Sequence, residues 1–506
     1  MATPLPPAHP ARSRRPLRQA LVHGWATLLG LCALQAAPAI LAQERIPAEV
    51  AAALKSAAIP PSAAAIVVLP LGESRPLLSL NAERALNPAS TMKLVTTFAA
   101  LDLLGPNFTW KTQVLTTGTL NGDTLEGDLI LKGGGDPKLT LENLWLMTRS
   151  LRARGLRHIR GDLVLDRSYF NGGDHDPSRF DAEPLRPYNV GPDALMFNFK
   201  AVRFTFLPDA LRNRVQVLAE PKPAQLELTQ SVRLASGPCN DWRAQLKADF
   251  QGGSAQALVS FAGSYPAECG EKTWNVALLS HPHYIHGVFR QIWEESGGSL
   301  SGGWRDGAAP PDARVLYTHE SPSLAEIVRD INKYSNNVMA RQLYLTLSSE
   351  SLKTPGNPPA SAQVLRSWLT QRALQVPELV VDNGSGLSRV ERISAASMAE
   401  LLQVAFRSPV MPELMASLPL VAYDGTMKRR LNSSAVAGQA HIKTGTLFDV
   451  RAIAGYMLDR SGRHHVVVFI VNHANAPAAQ EAQDALLRWV YASGGTRQDC
   501  HPRGGC

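Results

Sequence analysis

Short apolar runs of strand length stand near both ends of the chain, and this arrangement limits the fold more than any other feature. Near the start, Ala65–Pro70 and Pro76–Leu80 flank a turn-forming stretch and predict a β-hairpin. Near the end, three runs predict strands, at His441–Leu447, Val450–Leu458 and His464–Asn472. Because strands satisfy their backbone hydrogen bonds by pairing, we expect both ends to join in one antiparallel sheet with helices around it.

The region from 107 to 315 has a different pattern, in which short strand-like runs alternate with turns rich in glycine and proline. It contains one helix-like run at 141–153 and ends in a linker-like stretch at 297–311. The chain has 506 residues, which is too long for one ordinary domain. We therefore predict a mixed α+β fold in which one or two small β-rich domains interrupt the domain formed by the two ends.

The first 42 residues have the charge pattern of a signal peptide. Four arginines precede an apolar stretch at 20–42, and no acidic residue occurs before Glu44. A retained membrane anchor is the alternative, although His23, Gln35 and Pro38 interrupt the apolar stretch. We predict export to the periplasm, by the general or the twin-arginine route, with at most peripheral membrane association. The tail at 495–506 is expected to be flexible unless its cysteines pair.

Charge and cysteine content fit an exported protein. The formal net charge of +8 includes the four leader arginines, so the mature chain carries about +4. Its basic residues are scattered rather than clustered with aromatic ones, so we expect no nucleic-acid partner, and an anionic polymer such as a cell wall is compatible. After the leader, the pairings closest in sequence are Cys239 with Cys269 and Cys500 with Cys506, although four cysteines allow three connectivities.

The tetrapeptide Ser90-Thr91-Met92-Lys93 opens a helix-like segment. Residues three apart share a face of a helix, so the Lys93 amine can reach the Ser90 hydroxyl. A serine is a weak nucleophile that needs a neighbouring base, and a lysine becomes a base when burial or a second cation lowers its pKa. The spacing indicates Ser90 as nucleophile and Lys93 as base, but taken alone it also fits a helix-capping serine.

The tetrapeptide Lys443-Thr444-Gly445-Thr446 lies in a predicted strand near the end of the chain. Glycine in a strand marks a place where another group approaches the backbone closely. A substrate laid beside the strand would bond to its backbone, and Lys443 with the two threonine hydroxyls would hold a terminal carboxylate. Lys443 is also a second cation able to lower the pKa of Lys93. Taken alone, the motif also fits an edge strand that contains glycine.

The tetrapeptide Tyr334-Ser335-Asn336-Asn337 lies between two helix-like segments. It contains an S-x-N pattern, in which Ser335 would relay a proton to the leaving group and Asn337 would bind the substrate's amide. The same residues contain a Y-x-N pattern, formed by Tyr334 and Asn336. Residue order leaves both interpretations open, together with a simple helix cap.

The histidine-rich stretch at 281–286 is the one other candidate for chemistry. Its proline and the lack of a nearby cysteine or a clear acidic cluster favour packing or surface roles over a metal site. We therefore expect neither a metal nor a cofactor. The chain also lacks the G-x-S-x-G elbow of a Ser-His-Asp hydrolase.

In this order, S-x-x-K, S-x-N and K-T-G form the set found in β-lactamases and penicillin-binding proteins. The interval of 245 residues from Ser90 to Ser335 is far longer than in a β-lactamase. Three further stretches narrow the resemblance: GGGDP at 133–137, NGSGLSR at 383–389 and DGTMK at 424–428. Over nearly all of its mature length, the chain resembles the low-molecular-mass class C, or penicillin-binding protein 4-like, penicillin-binding proteins.

The resemblance implies a β-lactamase/transpeptidase-like domain, with an antiparallel sheet flanked by helices, that is split by two inserted domains. On this chain the two parts of that domain are predicted at 43–106 and 316–494, with the insertion at 107–315. The resemblance also favours Ser335 and Asn337 as the functional pair of their tetrapeptide.

The resemblance assigns further site roles. It places the oxyanion hole at the backbone N–H groups of Ser90 and Thr446. Arg389 matches a family arginine that recognises the carboxylate on the diaminopimelate side chain. The family's acidic partner for the side-chain amine falls in the stretch 180–188, where Asp181 and Glu183 both stay candidates.

The function that the resemblance implies is that of a serine D-alanyl-D-alanine carboxypeptidase and DD-endopeptidase. It would cleave peptidoglycan stem peptides through a Ser90 acyl-enzyme, and β-lactams would inhibit it by acylating the same serine. Two alternatives stay open: a β-lactamase-like esterase that uses the same serine, and an inactive wall-binding or scaffolding protein that has kept the fold. Turnover of a D-Ala-D-Ala peptide would test the first, and covalent labelling of Ser90 the second.

Overall fold

The computed structural model describes residues 46–173 and 175–494. Its helices are α1 (Ala48–Ser56), α2 (Lys93–Leu104), α3 (Leu141–Ala153), α4 (His281–Glu295), α5 (Leu324–Tyr334), α6 (Asn337–Leu352), α7 (Pro358–Gln371), α8 (Ala395–Phe406), α9 (Met411–Ser417) and α10 (Gln480–Ser493).

Strands β1 to β10 are Ala64–Pro70, Leu78–Leu80, Lys111–Thr116, Thr119–Asn121, Thr124–Glu126, Leu129–Lys132, His158–Ile159, Leu163–Asp166, Val202–Asp209 and Arg214–Glu220. Strands β11 to β20 are Leu226–Ala235, Leu246–Gly252, Ala257–Pro266, Lys272–Val276, Ser299–Leu300, Trp304–Asp306, Arg314–Glu320, Ala440–Leu447, Val450–Leu458 and His464–Asn472.

One antiparallel sheet is built from both ends of the chain, in the order β18-β19-β20-β1-β2, and we call it the split sheet. Strand β1 pairs with β20 along its whole length, from Ala64 opposite Val471 to Pro70 opposite His465. Its other edge pairs with β2, which completes the hairpin near the start. The predicted sheet and its flanking helices are therefore confirmed.

The split sheet lies between two helical layers, so both of its faces are buried. Helices α1 and α10 cover one face, and a layer that includes α2, α5, α6 and α8 covers the other. Because successive side chains of a strand point to opposite faces, alternate residues of β20 enter the two cores. Val466, Val468 and Ile470 pack into one core, and Val467, Phe469 and Val471 into the other. A strand buried on both faces reads as one continuous apolar run in the sequence.

The region between β2 and α5 carries three further sheets. Their strand orders are β12-β13-β11-β10-β9-β14, β16-β8-β6-β3-β17 and β15-β7-β5-β4. One apolar core joins them to α3 and α4. A disulfide links Cys239, in the connection after β11, to Cys269, in the turn after β13, and Cys500 and Cys506 lie outside the described residues.

The exit from this region differs from the prediction. The stretch 297–311 is not a linker, because it contributes β15 and β16, which pair with β7 and β8. The boundary predicted at residue 315 falls inside β17, which returns to pair with β3. Two- and three-residue strands give almost no periodic signal, so β15 and β16 could not be predicted from the sequence. The division into domains stays a prediction.

A segment of the inserted region, residues 175–193, lies against α6, and we call it the docking segment. Arg341 of α6 donates to the carbonyl of Val190 at 2.8 Å. Gln342 donates to the carbonyl of Asp193 at 2.8 Å and accepts from its N–H at 2.9 Å. Because α6 begins at Asn337, these bonds bring the inserted region close to one of the predicted site residues.

The predicted signal peptide and flexible tail lie outside the described residues. Within 46–173 and 175–494, no helix is long and apolar enough to cross a membrane.

Candidate active site

Ser90 and Lys93 lie where a 3₁₀ turn, Ala89–Met92, runs into α2. Ala89 has a left-handed φ of 46°, a conformation that non-glycine residues adopt mainly where the surroundings enforce it. The turn places Lys93 Nζ 3.0 Å from Ser90 Oγ, as the spacing predicted.

The Lys93 side chain has no exposed surface, and it donates hydrogen bonds to uncharged groups. Its nitrogen donates to Asn337 Oδ1 at 2.6 Å and to the carbonyl of Ser385. Burial lowers the pKa of Lys93 well below its usual value, and the charge of Lys443 lowers it further. A neutral lysine beside a serine hydroxyl has the properties of a general base.

Lys443 is the second buried lysine of the site. It lies on β18 and donates to Ser335 Oγ at 2.9 Å and to the carbonyl of Thr444 at 2.8 Å. Burial lowers the pKa of Lys443 to about 7. The two lysines therefore each contact one serine hydroxyl, and each is held in a low-dielectric environment that disfavours its charge.

The junction of α5 and α6 determines which residues of the tetrapeptide 334–337 enter the site. Ser335 ends α5 in a left-handed conformation, with φ 57° and ψ 38°. This turn directs Ser335 and Asn337 to the two lysines, whereas Tyr334 is 67% exposed. Asn336 caps α6 by accepting from the N–H of Met339. The geometry therefore brings the S-x-N residues, and not the Y-x-N pair, to Ser90.

Two glycines allow the backbone to pack closely around Ser90. A Cβ on Gly445 would lie 2.7 Å from the carbonyl oxygen of Pro88 and 3.1 Å from the N–H nitrogen of Ser90. A Cβ on Gly386, whose φ is +80°, would lie 2.0 Å from the carbonyl oxygen of Ala89. Any larger residue at either position would push its segment away from the nucleophile.

The hydroxyls of the K-T-G-T stretch are held from the neighbouring segments. Thr444 donates to Thr426 of the DGTMK stretch at 2.7 Å. Arg451, which pairs with Thr446 across β18 and β19, donates to its hydroxyl at 2.6 Å. Arg451 was not anticipated, because its position beside Thr446 follows only from the strand register. It adds a cation to the end of the site where a substrate carboxylate is expected.

Glu391 is a buried acid that the sequence analysis did not single out. Its Oε1 accepts from three successive backbone N–H groups, those of residues 382–384. The carboxylate thereby fixes the loop whose Ser385 carbonyl accepts from Lys93. Burial raises the pKa of Glu391, and its charge raises the pKa of Lys93 against the larger effect of burial. Nothing in its sequence position, two residues beyond the NGSGLSR stretch, indicates this contact.

Arg389 lies at the rim of the site, with 48% of its side chain exposed. It forms an ion pair with Asp449 at 3.0 Å, and its guanidinium stacks on Phe180 of the docking segment at 4.5 Å from the ring centre. Phe180 packs against the small apolar cluster that contains Ala89 and Leu447. The docking segment therefore forms one wall beside Ser90.

A groove of about 270 Å³ runs beside Arg389. Neither of the two acids proposed for amine recognition lines it. Asp181 accepts from Tyr188 and Asn189, and Glu183 pairs with Arg186 at 3.2 Å. The acidic residue of the docking segment that lines this groove is instead Asp176.

The histidines of the stretch 281–286 begin α4 and have protein partners. His283 contacts Ser280 at 2.8 Å, and His286 contacts Gln225 at 3.2 Å. Within the described residues, no group of three or more histidine, cysteine, aspartate or glutamate side chains is arranged to hold a metal.

The chain resembles known proteins over most of its length. The family described as D-Ala-D-Ala carboxypeptidase 3 (S13) matches residues 46–492. A D-alanyl-D-alanine carboxypeptidase of Actinomadura sp. (strain R39) is 29% identical over 458 residues, which are 87% of this chain and 83% of that protein. The D-alanyl-D-alanine carboxypeptidase DacB of Haemophilus influenzae is 24% identical over 413 residues, 79% of this chain and 84% of the relative.

Among solved structures, penicillin-binding protein 4 (dacB) from Haemophilus influenzae superimposes with a TM-score of 0.73 at 22% identity. The match covers 87% of this chain and 99% of that one. At this level of identity the likeness establishes the shared fold, including the predicted transpeptidase-like architecture.

Proposed function

The chain belongs to the D-Ala-D-Ala carboxypeptidase 3 (S13) family of serine peptidases, and from that premise we propose that Ser90 is the nucleophile and Lys93 its base. The substrates are peptidoglycan stem peptides that end in D-alanyl-D-alanine, together with the D-alanine–diaminopimelate crosslinks between them. The observation that carries this proposal is the 3.0 Å contact of Ser90 Oγ with a fully buried lysine whose pKa is lowered.

Acylation begins when neutral Lys93 takes the Ser90 proton while Ser90 Oγ attacks the carbonyl carbon of the substrate's D-alanyl-D-alanine bond. The backbone N–H groups of Ser90 and Thr446 hold the oxyanion that forms. When the intermediate collapses, the C–N bond breaks and the leaving amine needs a proton. Ser335 Oγ gives up its proton to the amine and takes one from Lys443, which donates to it. Water then attacks the ester carbonyl and gives one proton through Ser335 to Lys443, while Lys93 returns its proton to Ser90 Oγ as the ester bond breaks.

Substrate binding in this proposal uses the edge strand β18 and the rim of the site. The terminal carboxylate lies at Lys443, Thr444 and Thr446, where Arg451 adds a positive charge. Asn337 holds the peptide amide. Arg389 receives the carboxylate on the diaminopimelate side chain of the stem peptide, in exchange for its pairing with Asp449.

The site of action that we propose is the periplasm, with residues 1–42 as the signal peptide. This part of the proposal is supported by the charge pattern of the leader and by membership of a cell-wall carboxypeptidase family.

Intact mass spectrometry after incubation with benzylpenicillin tests the proposal. The protein should gain the mass of one penicilloyl group, and Ser90→Ala should gain none. Uncrosslinked and crosslinked muropeptides then distinguish carboxypeptidase from endopeptidase turnover. A folded protein that forms no adduct and cleaves neither substrate would refute the proposal and favour a wall-binding role.

A further inference from the structure

A second and larger cavity lies in the inserted region and takes no part in the reaction proposed above. Its volume of about 720 Å³ falls in the range of small-molecule sites. We call it the inserted-region cavity and define it by six lining residues: Arg167, His175, Asp193, Lys200, Gly253 and His281. The cavity also shares four lining residues with the groove beside Arg389, which are Gly173, His175, Pro177 and Pro192.

Lys200 supplies a partly buried cation to this cavity. Its Nζ donates to the carbonyl of Leu279 at 2.7 Å, and burial lowers the pKa of Lys200 to about 8. The backbone holds the side chain there through three successive left-handed residues, Asn198, Phe199 and Lys200, with φ of 44°, 54° and 51°. At a pKa of about 8 the ammonium stays mostly charged at neutral pH, and an anion that enters the cavity would pair with it in a partly desolvated environment.

His281 supplies a hydrogen-bond acceptor to the same cavity. Its Nε2 lies 3.2 Å from the carbonyl oxygen of Gly191, so Nε2 carries the proton and donates to that oxygen. Burial lowers the pKa of His281 to about 4, which leaves the ring neutral. Its Nδ1 is buried without a hydrogen-bond partner among the described residues. A buried acceptor of this kind favours a ligand that brings an N–H or O–H group.

The other charged side chains that line the cavity are one guanidinium and one carboxylate. Arg167 and Asp193 form an ion pair at 2.5 Å, and Arg167 also pairs with Asp306 at 2.8 Å. His175 contacts the carbonyl of Asn189, and burial lowers its pKa. The cavity therefore presents one lysine charge and one neutral acceptor. The matching ligand has an anionic oxygen beside a hydrogen-bond donor, which is the chemistry of a peptide that carries a carboxylate.

We propose that the inserted-region cavity binds a carboxylate-bearing arm of crosslinked peptidoglycan, with the carboxylate at Lys200 and a peptide N–H at Nδ1 of His281. The inference rests on the proposed function, because it takes the substrate to be a stem peptide. The inference goes further than the proposed function because it assigns a second binding site. The substrate would enter that site past the residues that the cavity shares with the Arg389 groove. In this inference a crosslinked dimer extends from the active site into the cavity, whereas a short D-Ala-D-Ala peptide occupies the active site alone.

The test compares two substrates and two matched lysine variants. The substrates are a short D-Ala-D-Ala peptide and a soluble crosslinked tetrapeptide–tetrapeptide dimer. Lys200→Met removes the cavity charge, and Lys247→Met removes the charge of an exposed lysine in the six-stranded sheet of the inserted region. We expect Lys200→Met to lower kcat/KM for the dimer about tenfold and to leave the short peptide unchanged. Lys247→Met should change neither, and equal melting temperatures would show that both variants fold.

Direct binding separates this inference from the proposed function. The dimer is titrated calorimetrically into the protein after benzylpenicillin has blocked Ser90, or into untreated protein if no turnover is found. The inference is supported if Lys200→Met and His281→Phe weaken dimer binding while Lys247→Met binds as the parent does. This result does not depend on what the protein hydrolyses. Binding and dimer turnover that are the same in Lys200→Met as in the parent would overturn the inference, and so would equal losses on both substrates.

Discussion

The active site contains two fully buried lysines and the inserted-region cavity contains a partly buried one, and the two regions differ in what surrounds the ammonium groups. In the active site, Lys93 and Lys443 contact hydroxyl, amide and carbonyl oxygens from several segments, and each reaches a serine hydroxyl. In the cavity, Lys200 contacts one carbonyl and faces open space.

The difference shows how one physical effect serves two kinds of chemistry. Burial lowers the pKa of all three lysines because it removes water from the charged form. A lysine with a hydroxyl in contact becomes a base for that hydroxyl. A lysine beside an empty volume becomes a site for an anion. The neighbouring groups, and not the shift in pKa, therefore determine the role.

Removal of the nucleophile should separate the two regions most strongly. Ser90→Ala leaves Lys93 with no hydroxyl to deprotonate, so kcat/KM for the short peptide should fall at least about 10⁴-fold. The matched control is Ser231→Ala, which changes an exposed serine in the inserted region and should retain full activity. The measurement is kcat/KM of both variants for the short peptide. Substantial turnover by Ser90→Ala would exclude this serine as the nucleophile.

Replacing a lysine by methionine in each region compares the active site with the inserted-region cavity most directly. Lys93→Met removes the general base at nearly constant volume, so acylation by benzylpenicillin should slow by about 10²- to 10⁴-fold. Lys200→Met should leave that rate unchanged, because benzylpenicillin does not extend into the cavity. Stopped-flow acylation rates measure both effects. Equal losses in the two variants would contradict the distinction between the regions.

The pH profile should show the two active-site lysines acting in opposite protonation states. Lys93 works when neutral, so kcat/KM rises with pH through its lowered pKa, whereas Lys443 works as a cation, so kcat/KM falls again above about pH 7. A bound carboxylate favours the Lys443 ammonium, so the falling limb of kcat should lie at higher pH than that of kcat/KM.

Lys443→Arg checks this assignment, because arginine stays charged across the range. The falling limb should disappear from the profile of the variant. A falling limb that remains at the same pH would have to arise from another group.

A smaller effect is expected from the acid behind Lys93. Glu391→Gln keeps the shape and removes a charge that raises the pKa of Lys93, so the rising limb should move to lower pH by about one unit or less. Glu378→Gln is the matched control, since Glu378 also accepts backbone and hydroxyl hydrogen bonds in a loop. An unmoved rising limb in Glu391→Gln would show that its charge does not reach Lys93.

The smallest effect on activity should come from the disulfide, which stabilises the inserted region alone. The bridge joins residues 30 apart, so Cys239→Ser with Cys269→Ser should lower the free energy of unfolding by roughly 3–4 kcal/mol. Urea unfolding measures the loss, and turnover of the short peptide should be unchanged. A loss of that turnover in the folded variant would show that this sheet supports the active site.

Local spacing made part of the site predictable. Ser90 and Lys93 are three residues apart on a helical turn, so their contact follows from the sequence. The split sheet was also predictable, because its apolar runs have strand length and clear turns between them. The short strands β15 and β16 were not, because runs of two or three residues have no period to recognise.

The sequence by itself determined the order of the three motifs, the sheet formed by both ends and the reach of Lys93 to Ser90. Only the tertiary structure decided that Ser335 and Asn337, rather than Tyr334, face the lysines, that Glu391 fixes the loop beside Lys93, and that Lys200 and His281 share a cavity. The physical reason is the range of the interactions. Contacts within one turn of helix or one strand repeat with a fixed period that the sequence displays, whereas contacts between distant segments depend on how whole elements pack and have no period at all.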